Sequence, residues 1–157
     1  GESIAVLTIG TISKNALDGI IKCSAAEEIS CYDMRFVKPI DEKLLHRIFK
    51  KYNTIITLED GIVMGGFGSA VNEFYIKNNY KKTLKNIGVS DEFPNQGSID
   101  QLKDIVGISA NKITQLLNDY LKHAVQIPFF PEILSISYPL KLLLQPLEAN
   151  HRPNLHK

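Results

Sequence analysis

Apolar positions in the first 126 residues fall into short runs that alternate between two spacings. Residues 3–9 (SIAVLTI) are almost unbroken apolar and β-branched, the pattern of a strand covered on both faces. Residues 14–24 then repeat at helical spacing. Ala16, Leu17, Ile20 and Ile21 form the predicted buried stripe, and Ser13 the predicted N-cap. Residues 29–33 read as a second short strand. A helix follows Asp41, with Leu44, Leu45, Ile48, Phe49 and Tyr52 on its apolar side. Glu42 in its first turn and Lys50 and Lys51 in its last suit the helix dipole at both ends. Residues 54–59 (TIITLE) predict a third strand, and a Gly-rich loop over 61–68 leads to a helix over about 69–79. Residues 84–88 predict a fourth strand. Ser98 and Gln101 form a capping box that opens a short helix ending at Gly107. Ser109 caps the last helix, which carries Ile113, Leu116, Leu117, Tyr120 and Leu121. Strands alternating with helices imply parallel pairing through right-handed crossovers. The expected fold is therefore α/β: an open, mostly parallel sheet with helices on both faces.

Punctuation then divides the chain. All ten glycines precede residue 108, while five of the seven prolines follow residue 126. Residues 1–126 read as one domain, and residues 127–157 as a Pro-rich irregular tail of a different kind. A length of 157 residues suits one domain with a core of its own. The content is 44% hydrophobic and 22% charged, which excludes a disordered chain. A formal net charge of +1 argues against a dedicated nucleic-acid binder. No apolar run approaches the roughly 20 residues of a membrane span. Cys23 and Cys31 are too few for a disulfide scaffold and lack C-x-x-C spacing, so the expected setting is a reducing cytoplasm. Both read as small hydrophobes. Residue 1 is Gly and no leader pattern is present, so the chain reads as a fragment or a processed piece.

Candidate chemistry is sparse. Gly65, Gly66 and Gly68 follow a strand and open a helix, the right context for a phosphate cradle. The spacing does not match. A G-x-G-x-x-G reading from Gly66 meets Val71 where glycine is needed, and no Lys follows as a P-loop requires. Tight turning and close helix–sheet packing are the first reading, phosphate contact the second. Glu59 and Asp60 stand at the carboxyl end of a strand, where open α/β sheets place their sites. Turn formation and backbone binding are favoured there over cation or proton chemistry. Asp33, Arg35, Lys38 and Pro39 lie between the second strand and its helix. An ion pair within the domain or between domains is favoured for Arg35, and an anion or acidic partner is the alternative. His46, His123, His151 and His156 form no metal-ligand pattern, and His46 falls opposite the apolar stripe, where it is expected to be solvated. Ser69 lacks a G-x-S-x-G context. No catalytic, cofactor-binding or metal-binding residue is assigned.

Three segments carry a resemblance. Residues 33–42 (DMRFVKPIDE), 57–74 (TLEDGIVMGGFGSAVNEF) and 85–98 (KNIGVSDEFPNQGS) closely resemble the carboxyl-terminal domain of the 1-deoxy-D-xylulose-5-phosphate synthase family, within the transketolase superfamily. The similarity runs in order over about residues 2–123. It departs at Ser90, where the family often has Pro, and at Gln96, where it often has His. The second segment is shared more loosely with β-subunits of 2-oxoacid dehydrogenase decarboxylase components. The resemblance implies an enzyme that joins pyruvate and glyceraldehyde 3-phosphate with loss of carbon dioxide, using thiamine diphosphate and magnesium. Its product feeds isoprenoid, thiamine and pyridoxal synthesis. It further implies that other domains hold the cofactor and the catalytic groups, while this one packs on them and helps form a homodimer. Asp33, Arg35, Lys38, Pro39, Glu59, Asp60, Gly65, Gly66 and Gly68 then stand as structural or interface positions, and the piece alone is expected to be inactive. The alternatives are a decarboxylase β-subunit domain, a non-catalytic docking module, or a small phosphate-binding enzyme centred on residues 59–69.

Overall fold

A computed structural model describes residues 1–92 and 96–125, with side chains up to residue 122. The tail assigned to residues 127–157 lies outside the described residues. Four strands, β1 (Ile4–Thr8), β2 (Ile29–Asp33), β3 (Thr54–Ile62) and β4 (Thr83–Val89), form one sheet in the order β2-β1-β3-β4. Every pairing is parallel: Ile4 of β1 is in register with Ile29 of β2 and with Thr54 of β3, and Thr54 with Thr83 of β4. The described residues also form five α-helices, α1 (Ile12–Ile21), α2 (Glu42–Lys51), α3 (Phe67–Lys77), α4 (Ile99–Ile105) and α5 (Ala110–Val125), and a 3-10 turn at Ala26–Glu28 before β2.

Successive strand residues point to opposite faces, so the continuous apolar run of β1 feeds two cores at once. Ile4 and Val6, with Ile56 and Leu58 of β3, face α1 and α5 through Ile12, Ala16, Ile113 and Leu117. Ala5 and Leu7, with Ile55, face α2 and α3 through Leu45, Phe49, Phe67, Val71 and Phe74. All of β1 is sealed from solvent. This is the doubly covered sheet that the alternating pattern predicts.

The caps of α2 and α4 form as expected. Asp41 accepts the Leu44 N–H at 2.9 Å. In the capping box, Ser98 N–H donates to Gln101 Oε1 at 2.9 Å, and Gln101 N–H donates to Ser98 Oγ at 3.3 Å. Ser109 Oγ accepts the Lys112 N–H at 3.3 Å at the start of α5.

Helix α1 departs from the expectation. It begins at Ile12 after Thr11, not after Ser13, and its buried side is Ile12, Ala16, Gly19 and Ile20. Leu17 is 50% exposed and Ile21 76% exposed. Two contacts explain the rotation. Ser13 Oγ is within hydrogen-bond distance of Thr8 Oγ1, at 2.9 Å, and donates to the Gly10 carbonyl, so it sits inside the first turn. Gly19 abuts α5, where an added Cβ would lie 2.9 Å from the Ala110 carbonyl oxygen, and Thr114 Oγ1 donates to the Gly19 carbonyl at 2.9 Å. Close backbone approach at Gly19 sets which stripe of α1 faces inward. Helix α3 also starts earlier than expected, at Phe67, and β3 runs on to Ile62.

His46 is a second departure. It is half-buried, 2.7 Å from the Tyr80 hydroxyl through Nδ1, with its ring edge-on to Phe74 at 4.8 Å. The turn after α3 carries Tyr80 over α2, a placement that the periodicity of α2 alone does not contain.

Candidate functional site

In an open sheet the strand order reverses direction at one place, and helices diverge there to leave a crevice at the carboxyl ends of the strands. Here that place lies between β1 and β3. Gly10, with φ of +74°, turns the chain off β1 straight into α1. From the β3 side, the Asp60 carboxylate accepts a hydrogen bond from the Thr11 hydroxyl. Thr8, buried beneath, bonds Ser13. The crevice is closed by the chain's own polar side chains.

Glu59 and Asp60 are adjacent on a strand and therefore face opposite sides. They do not act as a carboxylate pair. Glu59 points under the start of α3 and is only 4% exposed. Its Oε2 accepts the Phe67 N–H and its Oε1 the Gly68 N–H, both at 2.9 Å. A helix start carries unpaired N–H groups and about half a positive charge, which is what makes it attractive to phosphate. Here a buried carboxylate takes that place.

The glycines serve this arrangement. A Cβ on Gly66 would overlap Glu59 Oε2 and the Ile62 carbonyl oxygen, and would reach Glu59 Cδ at 2.9 Å. A Cβ on Gly68 would lie 2.9 Å from the Asn86 side chain and 3.0 Å from Thr57 Oγ1. Gly88 on β4 was not singled out from sequence, yet a Cβ there would lie 2.8 Å from Glu59 Cγ. Gly65 has φ of +75° and open space around it, so its role is conformational. Ser69 Oγ donates to the Val63 carbonyl and accepts the Gly65 N–H, which tightens the loop. The loop's donors are used internally. The residues present do not fit a diphosphate, and no chemical step is derived through one at this loop.

The segment after β2 is open to solvent. Arg35 has φ of +57°, its N–H donates to Asp33 Oδ1 at 3.2 Å, and its Nε lies 4.0 Å from Asp33 Oδ2. Both side chains are more than half exposed. The Lys38–Pro39 peptide is cis. Phe36 and Val37 in this segment, Ile62 at the end of β3 and Met64 just beyond it are 66%, 38%, 49% and 68% exposed. These four apolar side chains all lie at or just past the carboxyl ends of the strands that flank β1.

Cys23 is buried and Cys31 partly so. Burial pushes both thiols up from their ordinary value. Elevated thiol pKa values leave little thiolate at neutral pH, which suits packing rather than nucleophilic attack. Tyr32 and Tyr52 share a hydrogen bond of 2.9 Å between hydroxyls, and Tyr52 donates to Ser30 at 2.8 Å. Burial, reinforced by the bond with Tyr52, pushes Tyr32 up to about 12. Burial opposes ionisation of Tyr52 too, but its hydrogen bonds with Ser30 and Tyr32 outweigh that and lower it from the ordinary value. Neither Glu59's partners nor this tyrosine pair is visible in local sequence, because each joins residues that only the sheet brings together. Among the described residues, no three His, Cys, Asp or Glu side chains gather as a metal site, and no helix is long and apolar enough to cross a membrane.

The family model of the transketolase C-terminal domain matches residues 1–113. The chain belongs to that family. Its relatives include 1-deoxy-D-xylulose-5-phosphate synthases from Parabacteroides distasonis (46% identical over 118 residues, 74% of this chain and 19% of the relative) and Bacteroides fragilis (43% over 119 residues, 74% and 18%). A synthase of the same description from Vibrio campbellii is 38% identical over 123 residues, covering 77% of this chain and 19% of its own length. This transketolase C-terminal domain thus spans about a fifth of the length of the curated relatives it matches. Among solved structures it superposes on a split-gene transketolase described as an inactive β4 tetramer. The TM-score is 0.68 at 26% identity, covering 78% of this chain and 40% of the other. The parallel four-stranded sheet with helices on both faces is therefore the transketolase C-terminal architecture.

Proposed function

We propose that this chain is the carboxyl-terminal domain of a 1-deoxy-D-xylulose-5-phosphate synthase and braces the catalytic machinery carried by other domains of that enzyme. The parent is a transferase that condenses pyruvate with glyceraldehyde 3-phosphate, releases carbon dioxide and uses thiamine diphosphate with magnesium held elsewhere. Residues 1–126 form the domain, and residues 127–157 are a separate tail.

The observation that carries this reading is the occupation of the Gly-rich loop by Glu59. The one helix start in a phosphate-cradle context is neutralised from within, so the loop serves packing. At the carboxyl ends of β2 and β3, Phe36, Val37, Ile62 and Met64 stand exposed as an apolar rim that suits burial against another domain or a second subunit. Arg35 and Lys38 flank it and supply charge at its edge. Relatives at 36–46% identity point to the synthase rather than to a decarboxylase β-subunit.

Two measurements test this. Calorimetry of the 157-residue chain with thiamine diphosphate and magnesium is expected to show no binding, and stoichiometric binding overturns the proposal. Grafting residues 1–126 in place of the matching region of a homologous synthase is expected to restore dimer and turnover. Phe36→Ser with Met64→Ser in that graft is expected to lose both while the isolated domain keeps its melting temperature.

A further inference from the structure

Charge on this chain is close to balanced overall but not on α2. Glu42–Lys51 carries four cations, Lys43, Arg47, Lys50 and Lys51, against the single carboxylate of Glu42. Glu42 leans away to Lys77 of α3 at 3.9 Å. Among the described residues, none of the four cations has a carboxylate within ion-pair distance. Lys51 lies over the Tyr52 ring, 5.0 Å from its centre. Lys43, Arg47 and Lys50 recur at i, i+4 and i+7, so they form one row about 10 Å long on the exposed face. With His46 they border an open, one-sided depression on the helix surface.

We infer that this row is a docking surface for an acidic protein segment. The shape decides between anions. All four lining residues come from one helix, so no second wall encloses a small ligand as a compact metabolite site would. Spacing of one helical turn between charges matches carboxylates at i, i+4 and i+7 of an acidic helix, rather than the clustered charges of a diphosphate. Three cations along about 10 Å are fewer than the extended series of phosphate contacts that a nucleic-acid surface makes. One edge of this surface is held firm, because Tyr80 and Phe74 fix the His46 ring. The three cations of the row are all on the exposed face of α2.

The test is titration of the 157-residue chain with a fluorescent alanine-based helical peptide carrying Glu at i, i+4 and i+7. The same peptide with Gln is the control. Saturable binding that weakens as salt rises is expected for the Glu peptide only. Lys43→Gln or Lys50→Gln is expected to weaken it about two- to fivefold and Arg47→Glu about tenfold, in line with exposed ion pairs. Lys112→Gln on α5 controls for overall charge and is expected to change nothing. The inference is overturned by equal binding of both peptides, by equal loss in Lys112→Gln, or by tighter competition from pyrophosphate or a single-stranded oligonucleotide. Thermal melts of each variant separate lost docking from lost folding.

Discussion

Gly66 and Glu59 exclude any larger neighbour from each other's space: a Cβ on Gly66 would overlap the Glu59 carboxylate and the Ile62 carbonyl oxygen. Backbone stands on one side and a buried, doubly bonded carboxylate on the other, so neither can yield cheaply. Gly66→Ala is expected to destabilise the fold by about 1–3 kcal/mol or more, as overpacking does. Gly97→Ala, whose nearest neighbour would be 3.4 Å away, is expected to stay within about 0.5 kcal/mol. Equal urea midpoints for the two variants would refute the packing role of Gly66.

Glu59 accepts two backbone donors at the start of α3. Glu59→Ala leaves both N–H groups buried without a partner, at an expected cost of about 2–4 kcal/mol. Glu59→Gln keeps the shape but turns an NH₂ toward one of the donors, so it is expected to fall between wild type and Ala. Denaturant unfolding followed by circular dichroism measures the order. A Gln variant as stable as the wild type would show that the charge contributes nothing.

The caps of α2 and α4 are local and exposed, so their loss is expected to be modest. Asp41→Ala and Ser98→Ala are each expected to cost about 1 kcal/mol. The two sites lie on separate elements with no shared partner, so the double variant is expected to be additive. Non-additivity in thermal or chemical melts would show an unforeseen coupling between α2 and α4.

Tyr32 and Tyr52 share one hydroxyl–hydroxyl hydrogen bond, and near-UV absorbance titration measures its effect on their ionisation. One phenol is expected to ionise below the ordinary value of 10.0, and a second only near about 12. Tyr32 is raised by folding, so its contribution to stability is whole below pH 10 and is lost as pH rises toward about 12. Tyr52 is lowered and acts in the opposite sense, offsetting part of that loss. Tyr52→Phe is expected to remove the low phase and, by taking away the bond that reinforces the burial of Tyr32, to bring the high phase down. A single transition for all six tyrosines of the native protein would sink the coupling.

Much of the architecture was legible in the chain itself. The unbroken apolar run of β1, the stripe of α2 and the caps at Asp41 and Ser98 depend on residues within a few positions of one another. Short-range spacing is what a sequence displays, so strand and helix identities and the parallel sheet could be read from it. The orientation of α1 could not, because Gly19 meets Ala110 and Thr114 across more than ninety positions. Nor could the placement of His46 under Tyr80, or the full set of glycines around Glu59, where Gly88 arrives from a different strand. The Gly-rich loop shows the division most clearly. Its composition allowed either a phosphate cradle or a packing turn. The pleat of β3 decided between them by sending the Glu59 carboxylate, and not a ligand, to the free N–H groups of α3.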